Sequence, residues 1–98
     1  MAKEWDFMHA GNRVRVRNSM LNGAKLYVNG DFRDKDNSLV AFGNTPLLSA
    51  SLPGGEILEI YARSKLFSVE IKAVAYQGTR SMVVFDSESP ARLSARNA

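Results

Sequence analysis

Residues 13–17 read Arg-Val-Arg-Val-Arg, a strict alternation of charged and apolar side chains. Successive side chains of a β-strand point to opposite faces, so Val14 and Val16 are expected on one face and the three arginines on the other. The period of this pattern is two residues, not the 3.6 residues of a helix. The stretch therefore predicts a half-buried strand with a basic outer face.

The same period recurs along the rest of the chain. Apolar and polar side chains alternate in four further stretches, namely 24–28, 47–52, 56–63 and 66–76. Turn signals rich in glycine, asparagine and proline separate them, among them 22–23, 29–30, 53–55 and 77–79. This pattern of about seven to eight short strands predicts an all-β fold, either a small antiparallel β-sandwich or a partly open barrel.

A chain of 98 residues is the length of one domain. We expect a single β domain over residues 1–86. Residues 1–12 form either a loose arm or a first strand, because Trp5 and Phe7 alternate with Asp6 before a turn. Residues 87–98 are small and polar, which predicts a flexible, disordered C-terminal tail.

The hairpin at Asn29-Gly30 can be drawn in two registers. A two-residue loop leads to Leu26 opposite Arg33, which mixes apolar and charged side chains on one face. A three-residue loop, with Gly30 in a bulge, sets Leu26 opposite Phe32. Because a slip of one residue exchanges the two faces of a strand, the sequence favours the three-residue loop.

The sequence lacks the residues that several kinds of catalytic and metal-binding site require. The chain has no cysteine and one histidine, His9, so thiol chemistry and multi-histidine metal sites are excluded. No nucleophile elbow, phosphate loop or dinucleotide fingerprint is present. The acidic cluster at 31–37 contains Lys35 and Arg33 and is typical of turn chemistry rather than of a calcium loop. We therefore expect a protein that is not an enzyme and that uses neither a cofactor nor a metal.

No stretch of about 18 apolar residues occurs, so no membrane span is expected. The N-terminal sequence does not resemble a signal peptide, which predicts a cytoplasmic protein. The net charge is +3, with +2 in residues 1–20, zero in 21–86 and +1 in 87–98. Such a modest excess supports only weak attraction to polyanions.

One candidate surface is basic. Arg13, Arg15 and Arg17 would repeat every 6.6–6.8 Å or so along a strand, close to the phosphate repeat of an extended nucleic acid. Tyr61 and Tyr76 also fall on outward positions and are candidates for stacking with bases. A solvated strand face, or an edge strand protected by charge, is the explanation of the arginines that the sequence favours.

A second candidate surface is apolar. Several apolar residues do not all fit the inward face of their strands, namely Trp5, Phe7, Leu47, Ile57, Val74, Val83 and Phe85. Some are expected in a protein interface, with Trp5, Phe7, Val74 and Phe85 as the candidates. Such a sandwich would form a dimer through a sheet face or an edge strand.

Three functions therefore remain open. The first is a binding or assembly module that contacts an unknown protein or a second copy of itself, with a dimer favoured. The alternative is weak binding of single-stranded nucleic acid or another polyanion. A third, sugar or small-ligand binding, rests only on the tyrosines and Trp5.

Overall fold

The structure, a computed structural model, describes residues 2–19, 23–37, 45–64 and 69–88. The alternating stretches of the sequence form strands within these ranges. The eight strands are β1 Ala2–His9, β2 Asn12–Ser19, β3 Gly23–Val28, β4 Asp31–Asp36, β5 Leu48–Ser51, β6 Ile57–Ser64, β7 Val69–Gln77 and β8 Arg80–Asp86. The predicted all-β fold is confirmed, and the described residues contain no helix, hence none that could cross a bilayer.

The strands build two antiparallel sheets, in each of which every strand pairs with its neighbour in the chain. Sheet A has the order β1-β2-β3-β4 and sheet B the order β5-β6-β7-β8. The apolar faces of the two sheets pack on each other as a sandwich. Its centre consists of side chains that are at most 1% exposed, contributed by both sheets, namely Val14, Val16, Leu26, Leu48, Leu58 and Ile60. Burying each such side chain stabilises the fold by about 1.5–3 kcal/mol.

The N-terminal residues form a strand rather than a loose arm. β1 pairs with β2 along its whole length, from Ala2 opposite Ser19 to His9 opposite Asn12. Trp5 is 7% exposed and belongs to the core. The alternation of aromatic and acidic residues at positions 5–7 therefore indicates a strand.

The end of β8 is also attached to the sheet. Ser87 donates its backbone N–H to Ile71 O at 2.9 Å, and its hydroxyl accepts the N–H of Ile71 at 2.8 Å. Ser87 and Glu88 thus continue the contacts of the domain past residue 86. The remainder of the predicted tail, 89–98, lies outside the described residues, as does the apolar run 39–42.

The hairpin between β3 and β4 has a two-residue loop, so the predicted three-residue loop is wrong. Asn29 and Gly30 have φ values of 52° and 86°, and Val28 lies directly opposite Asp31. Two left-handed residues make the turn whose twist matches that of the flanking strands. Asparagine tolerates this conformation, so the loop closes without a third residue.

The extra residue is instead accommodated within β4. Tyr27 lies opposite Phe32 but Leu26 lies opposite Asp34, so the register shifts at Arg33. This bulge changes which side chains of β4 face the core. Without it, Arg33 would lie opposite the buried Leu26.

The bulge joins the adjacent edges of the two sheets. Asp34 Oδ2 accepts the backbone N–H of Ser49 in β5 at 2.8 Å, and Arg33 Nη2 donates to Ser51 O at 2.9 Å. Side chains of β4 therefore satisfy backbone groups on the edge of β5, which protects that edge from pairing with another chain.

On the other side of the sandwich, β1 contacts sheet B. The rings of Phe7 and Phe85 are stacked, with centroids 4.7 Å apart and an interplanar angle of 5°. One polar contact lies at each end of β1. Lys3 Nζ is 3.2 Å from Glu70 Oε2, and His9 Nε2 is 2.9 Å from Glu56 Oε1.

The turn between β1 and β2 offers a test of the backbone. Ala10 has a φ of 50° and precedes Gly11, so an alanine occupies a left-handed position that costs it roughly 1–2 kcal/mol. Ala10→Asn gives the asparagine-glycine pair preferred in such turns and should raise the free energy of unfolding in urea by about 1 kcal/mol. Ala10→Val, the control, should lower it. Equal losses in both variants would show that the turn is not left-handed.

Candidate functional site

The outward side chains of sheet A form three cross-strand rows, because paired residues on neighbouring strands share a face. The first row holds Met8 and Arg13, the second Asp6, Arg15, Tyr27 and Phe32, and the third Glu4, Arg17, Lys25 and Lys35. We call this surface the basic face. The predicted outward orientation of the three arginines is confirmed, since Val14 and Val16 between them are buried.

The positive charge of the protein is concentrated on the basic face. Its three rows contain five basic and two acidic side chains, an excess of three that equals the net charge of the whole chain. The outward strand residues of sheet B instead hold two bases and three acids, Arg63, Lys72, Glu59, Glu70 and Asp86. Counting charge along the chain did not reveal this separation, because the third row joins residues from four strands.

Two acids on β1 partly neutralise the arginines. Asp6 bridges two of them, with its carboxylate oxygens 3.3 Å from Arg13 Nε and 3.2 Å from Arg15 Nε. Arg17 Nη1 lies 3.6 Å from Glu4 Oε2. All of these side chains are at least 40% exposed, and ion pairs so accessible to water contribute about 1 kcal/mol or less. The arginines can therefore exchange these partners for another anion at small cost.

The third row contains adjacent like charges. Arg17 lies directly opposite Lys25, and Lys25 lies directly opposite Lys35. Among the described residues, neither lysine takes part in an ion pair. Like charges at directly opposed positions repel each other and destabilise a sheet. This row is therefore a place where an anion would relieve repulsion.

The bulge at Arg33 creates this row. In a regular strand with the same loop, Asp34 would lie opposite Lys25 and face outward. The register shift turns Asp34 inward and brings Lys35 onto the basic face. One extra residue thus replaces a negative charge by a positive one at this position.

A groove of about 550 Å³ runs over the basic face and is lined by Glu4, Arg13, Arg15, Arg17, Tyr27, Asn29 and Gly30. Asn29 fixes one end of it. Its Oδ1 accepts the backbone N–H of Arg13 at 2.9 Å, and its Nδ2 donates to Oδ1 of the buried Asn12 at 2.9 Å. Two hairpin turns are thereby held together. The sequence predicts only a turn at Asn29-Gly30 and does not indicate that the Asn29 side chain connects the two turns.

The predicted nucleic-acid residues do not form one surface. Tyr61 and Tyr76 lie on the outer face of sheet B, since the side chains at 58, 60, 73 and 75 between the two sheets are buried. The arginines occupy the opposite outer face of the sandwich. The aromatic neighbours of the arginines are instead Tyr27, directly opposite Arg15, and Phe32 beside it.

Tyr61 and Tyr76 form a hydroxyl cluster of their own. Tyr61 donates its hydroxyl proton to Glu59 Oε1 at 2.8 Å, and its oxygen lies 3.1 Å from the hydroxyl of Tyr76. These hydrogen bonds, that with Tyr76 first, together with burial, raise the pKa of Tyr61 well above its ordinary value. Val74, which lies opposite Glu59 on the same face, is 7% exposed although it points outward.

The residues predicted to form a protein interface are engaged within the chain. Trp5 and Val74 are 7% exposed, and Phe7 and Phe85 stack on each other against the core. Among the described residues, the exposed large apolar side chains are Met8, Phe32, Ile57, Met82 and Val83, with exposures of 63%, 54%, 40%, 58% and 53%. Ile57 and Val83 belong to the apolar residues that the sequence singles out, but not to the four interface candidates.

The residues considered for catalysis or metal binding also have structural partners. His9 contacts Glu56, and Asp34 accepts the backbone N–H groups of Lys35 and Ser49. In the part of the chain that the structure describes, no group of three or more histidine or acidic side chains is placed to hold a metal ion.

Comparisons with known proteins identify no relative of this chain. No protein-family model matches it, and neither a curated protein nor a solved structure does. The basic face itself therefore carries the argument about function.

The hydroxyl cluster of Tyr61 and Tyr76 should make the fold less stable at alkaline pH. Because the pKa of Tyr61 is higher in the folded chain than the value of about 10 in the unfolded chain, stability is retained below pH 10 and lost as the pH rises above it. Urea unfolding at pH 8 and pH 11 should show a smaller loss for Tyr61→Phe than for the wild type. Tyr27→Phe, which removes a phenol from the other sheet, should behave as the wild type does. An equal loss in Tyr61→Phe and Tyr27→Phe would contradict the assignment.

Proposed function

We propose that this protein is a non-catalytic binding module whose basic face holds an extended polyanion. The observation that supports this most directly is the excess of three positive charges on one face of the sandwich. A face that served solubility alone would mix the two signs, as the outer face of sheet B does. The cytoplasmic location expected from the sequence stays a prediction.

Strand geometry suits a linear anion. The arginines of β2 repeat every 6.6–6.8 Å or so, and neighbouring strands of a sheet lie about 4.7–4.9 Å apart. Guanidinium groups bind phosphate through two parallel hydrogen bonds, whereas lysines contribute point charges. The arginines would contact an anion along β2, and Lys25 and Lys35 would extend the contact across the sheet.

The same geometry explains why the affinity should be modest. Arg13 and Arg15 share Asp6, and Arg17 lies near Glu4, so each arginine gives up a weak partner on binding. The cost of replacing each acid is small, so a ligand with several charges offsets it more easily than a ligand with a single charge does. The acids therefore favour polyanions over single carboxylates or isolated phosphates.

Neutralising the arginines should abolish most of the binding. In Arg13→Gln/Arg15→Gln/Arg17→Gln, the affinity for a labelled single-stranded oligonucleotide at low salt should fall about tenfold or more. Fluorescence anisotropy at several salt concentrations measures this. The slope of log K against log salt should become shallower by about 2, since about 0.7 is lost for each phosphate contact.

A matched variant distinguishes the effect of the basic face from the effect of the total charge of the protein. Arg63→Gln/Lys72→Gln/Arg80→Gln removes the same number of positive charges from sheet B. It should bind nearly as tightly as the wild type, with an unchanged salt slope. If both triple variants weaken binding equally, the attraction comes from total charge and the basic face is not a site.

Self-association is a second candidate, and the exposed apolar residues of one edge strand support it. Among the described strands, β8 is an edge strand that pairs with β7 alone, and it exposes Met82 and Val83. Exposed apolar side chains on an unprotected edge favour pairing with another chain. A dimer would therefore form through Met82 and Val83 rather than through Trp5, Phe7, Val74 and Phe85.

Light scattering can test this dimer. Met82→Lys should convert the protein from dimer to monomer at micromolar concentration, because a charge on the edge opposes strand pairing. Met8→Lys is the control, since Met8 is equally exposed but lies on the basic face. A wild-type protein that stays monomeric at high concentration would exclude self-association.

A further inference from the structure

We propose that the polyanion is a single-stranded nucleic acid and that one of its bases stacks on Phe32 beside Tyr27. This inference rests on the proposed function of the basic face and assigns its ligand class. It starts from the aromatic pair in the second row, which charge alone does not explain.

Phe32 is a large apolar side chain on a surface that consists mostly of charged residues. It is 54% exposed although it lies within a strand, opposite Tyr27. The two rings meet edge to face, with centroids 5.8 Å apart and an interplanar angle of 66°. Tyr27 thus supports the phenyl ring from one side, and more than half of the surface of Phe32 stays open to a ligand.

The position of the rings fits a strand of alternating phosphates and bases. Tyr27 and Phe32 share their row with Arg15, and the rows on either side hold Arg13 and the cluster of Arg17, Lys25 and Lys35. Adjacent rows are about 6.6–6.8 Å apart along the strands. A base on the middle row would therefore leave its flanking phosphates close to basic side chains.

The rings also discriminate between anions. Unpaired bases stack on aromatic side chains largely without regard to sequence, whereas the bases of a duplex are already stacked on each other. A polyanion without bases gains only the charge of the face. The aromatic pair would therefore add affinity for single strands alone.

The test compares two ligands that share a backbone. Anisotropy or competition measurements would use a labelled oligothymidylate and an oligonucleotide of the same length built from abasic residues. Phe32→Ala should weaken binding of the oligothymidylate about tenfold, within the range measured for loss of one stacked base, and change abasic binding less than twofold. Ile57→Ala, which removes an exposed apolar side chain from the outer face of sheet B, should leave both affinities unchanged.

Two results would overturn the inference in distinguishable ways. If Phe32→Ala weakens both ligands equally or neither, while the wild type binds both, the base is not read and the ligand is a polyanion of another kind. The proposed function then stands. If the wild type binds neither ligand at low salt, the proposed function fails and the inference fails with it.

Discussion

The burial of Val14 and Val16 is the constraint on which the rest of the structure depends. Both side chains are at most 1% exposed and lie at the centre of the sandwich. A strand has only two faces, so the alternate residues of β2 must point to solvent. A slip of one residue would bury three guanidinium groups, at a cost that no core contact could offset. The line of arginines is therefore fixed by the core, and the strands on either side determine what surrounds it.

The bulge at Arg33 links the closure of the sandwich to the charge of its surface. It turns Asp34 towards β5, where the carboxylate accepts the N–H of Ser49. The same shift brings Lys35 opposite Lys25. A bulge re-aims side chains because it places two residues opposite one. Here Asp34 points inward and accepts a hydrogen bond from the edge strand β5, and Lys35 occupies the outward position opposite Lys25.

The sequence predicted the face of a residue better than its sheet. Alternation correctly placed Val14 inward and Tyr61 outward, because burial of one face fixes the period. Alternation does not show which sheet a strand joins. The sequence therefore predicts one nucleic-acid surface from the arginines and Tyr61, although they lie on opposite faces of the sandwich. The predicted register of the β3–β4 hairpin is wrong for a related reason. An extra residue can be accommodated either in the loop or in a strand. Because Asn29 adopts the left-handed conformation, the loop closes with two residues and the extra residue lies in β4. Val74 shows a third limit, since a side chain at an outward position can still be buried.

The order of the strands has a consequence for how the chain reaches this fold. Each hydrogen-bonded ladder between the described strands joins two strands that follow each other in the sequence. Each sheet can therefore assemble from local hairpins, whose loops are short and cheap to close. Contacts between distant parts of the chain, such as Lys3 with Glu70, form only when the two sheets dock. We expect this docking to limit the rate of folding, with the basic face already assembled on the N-terminal half before the core is sealed.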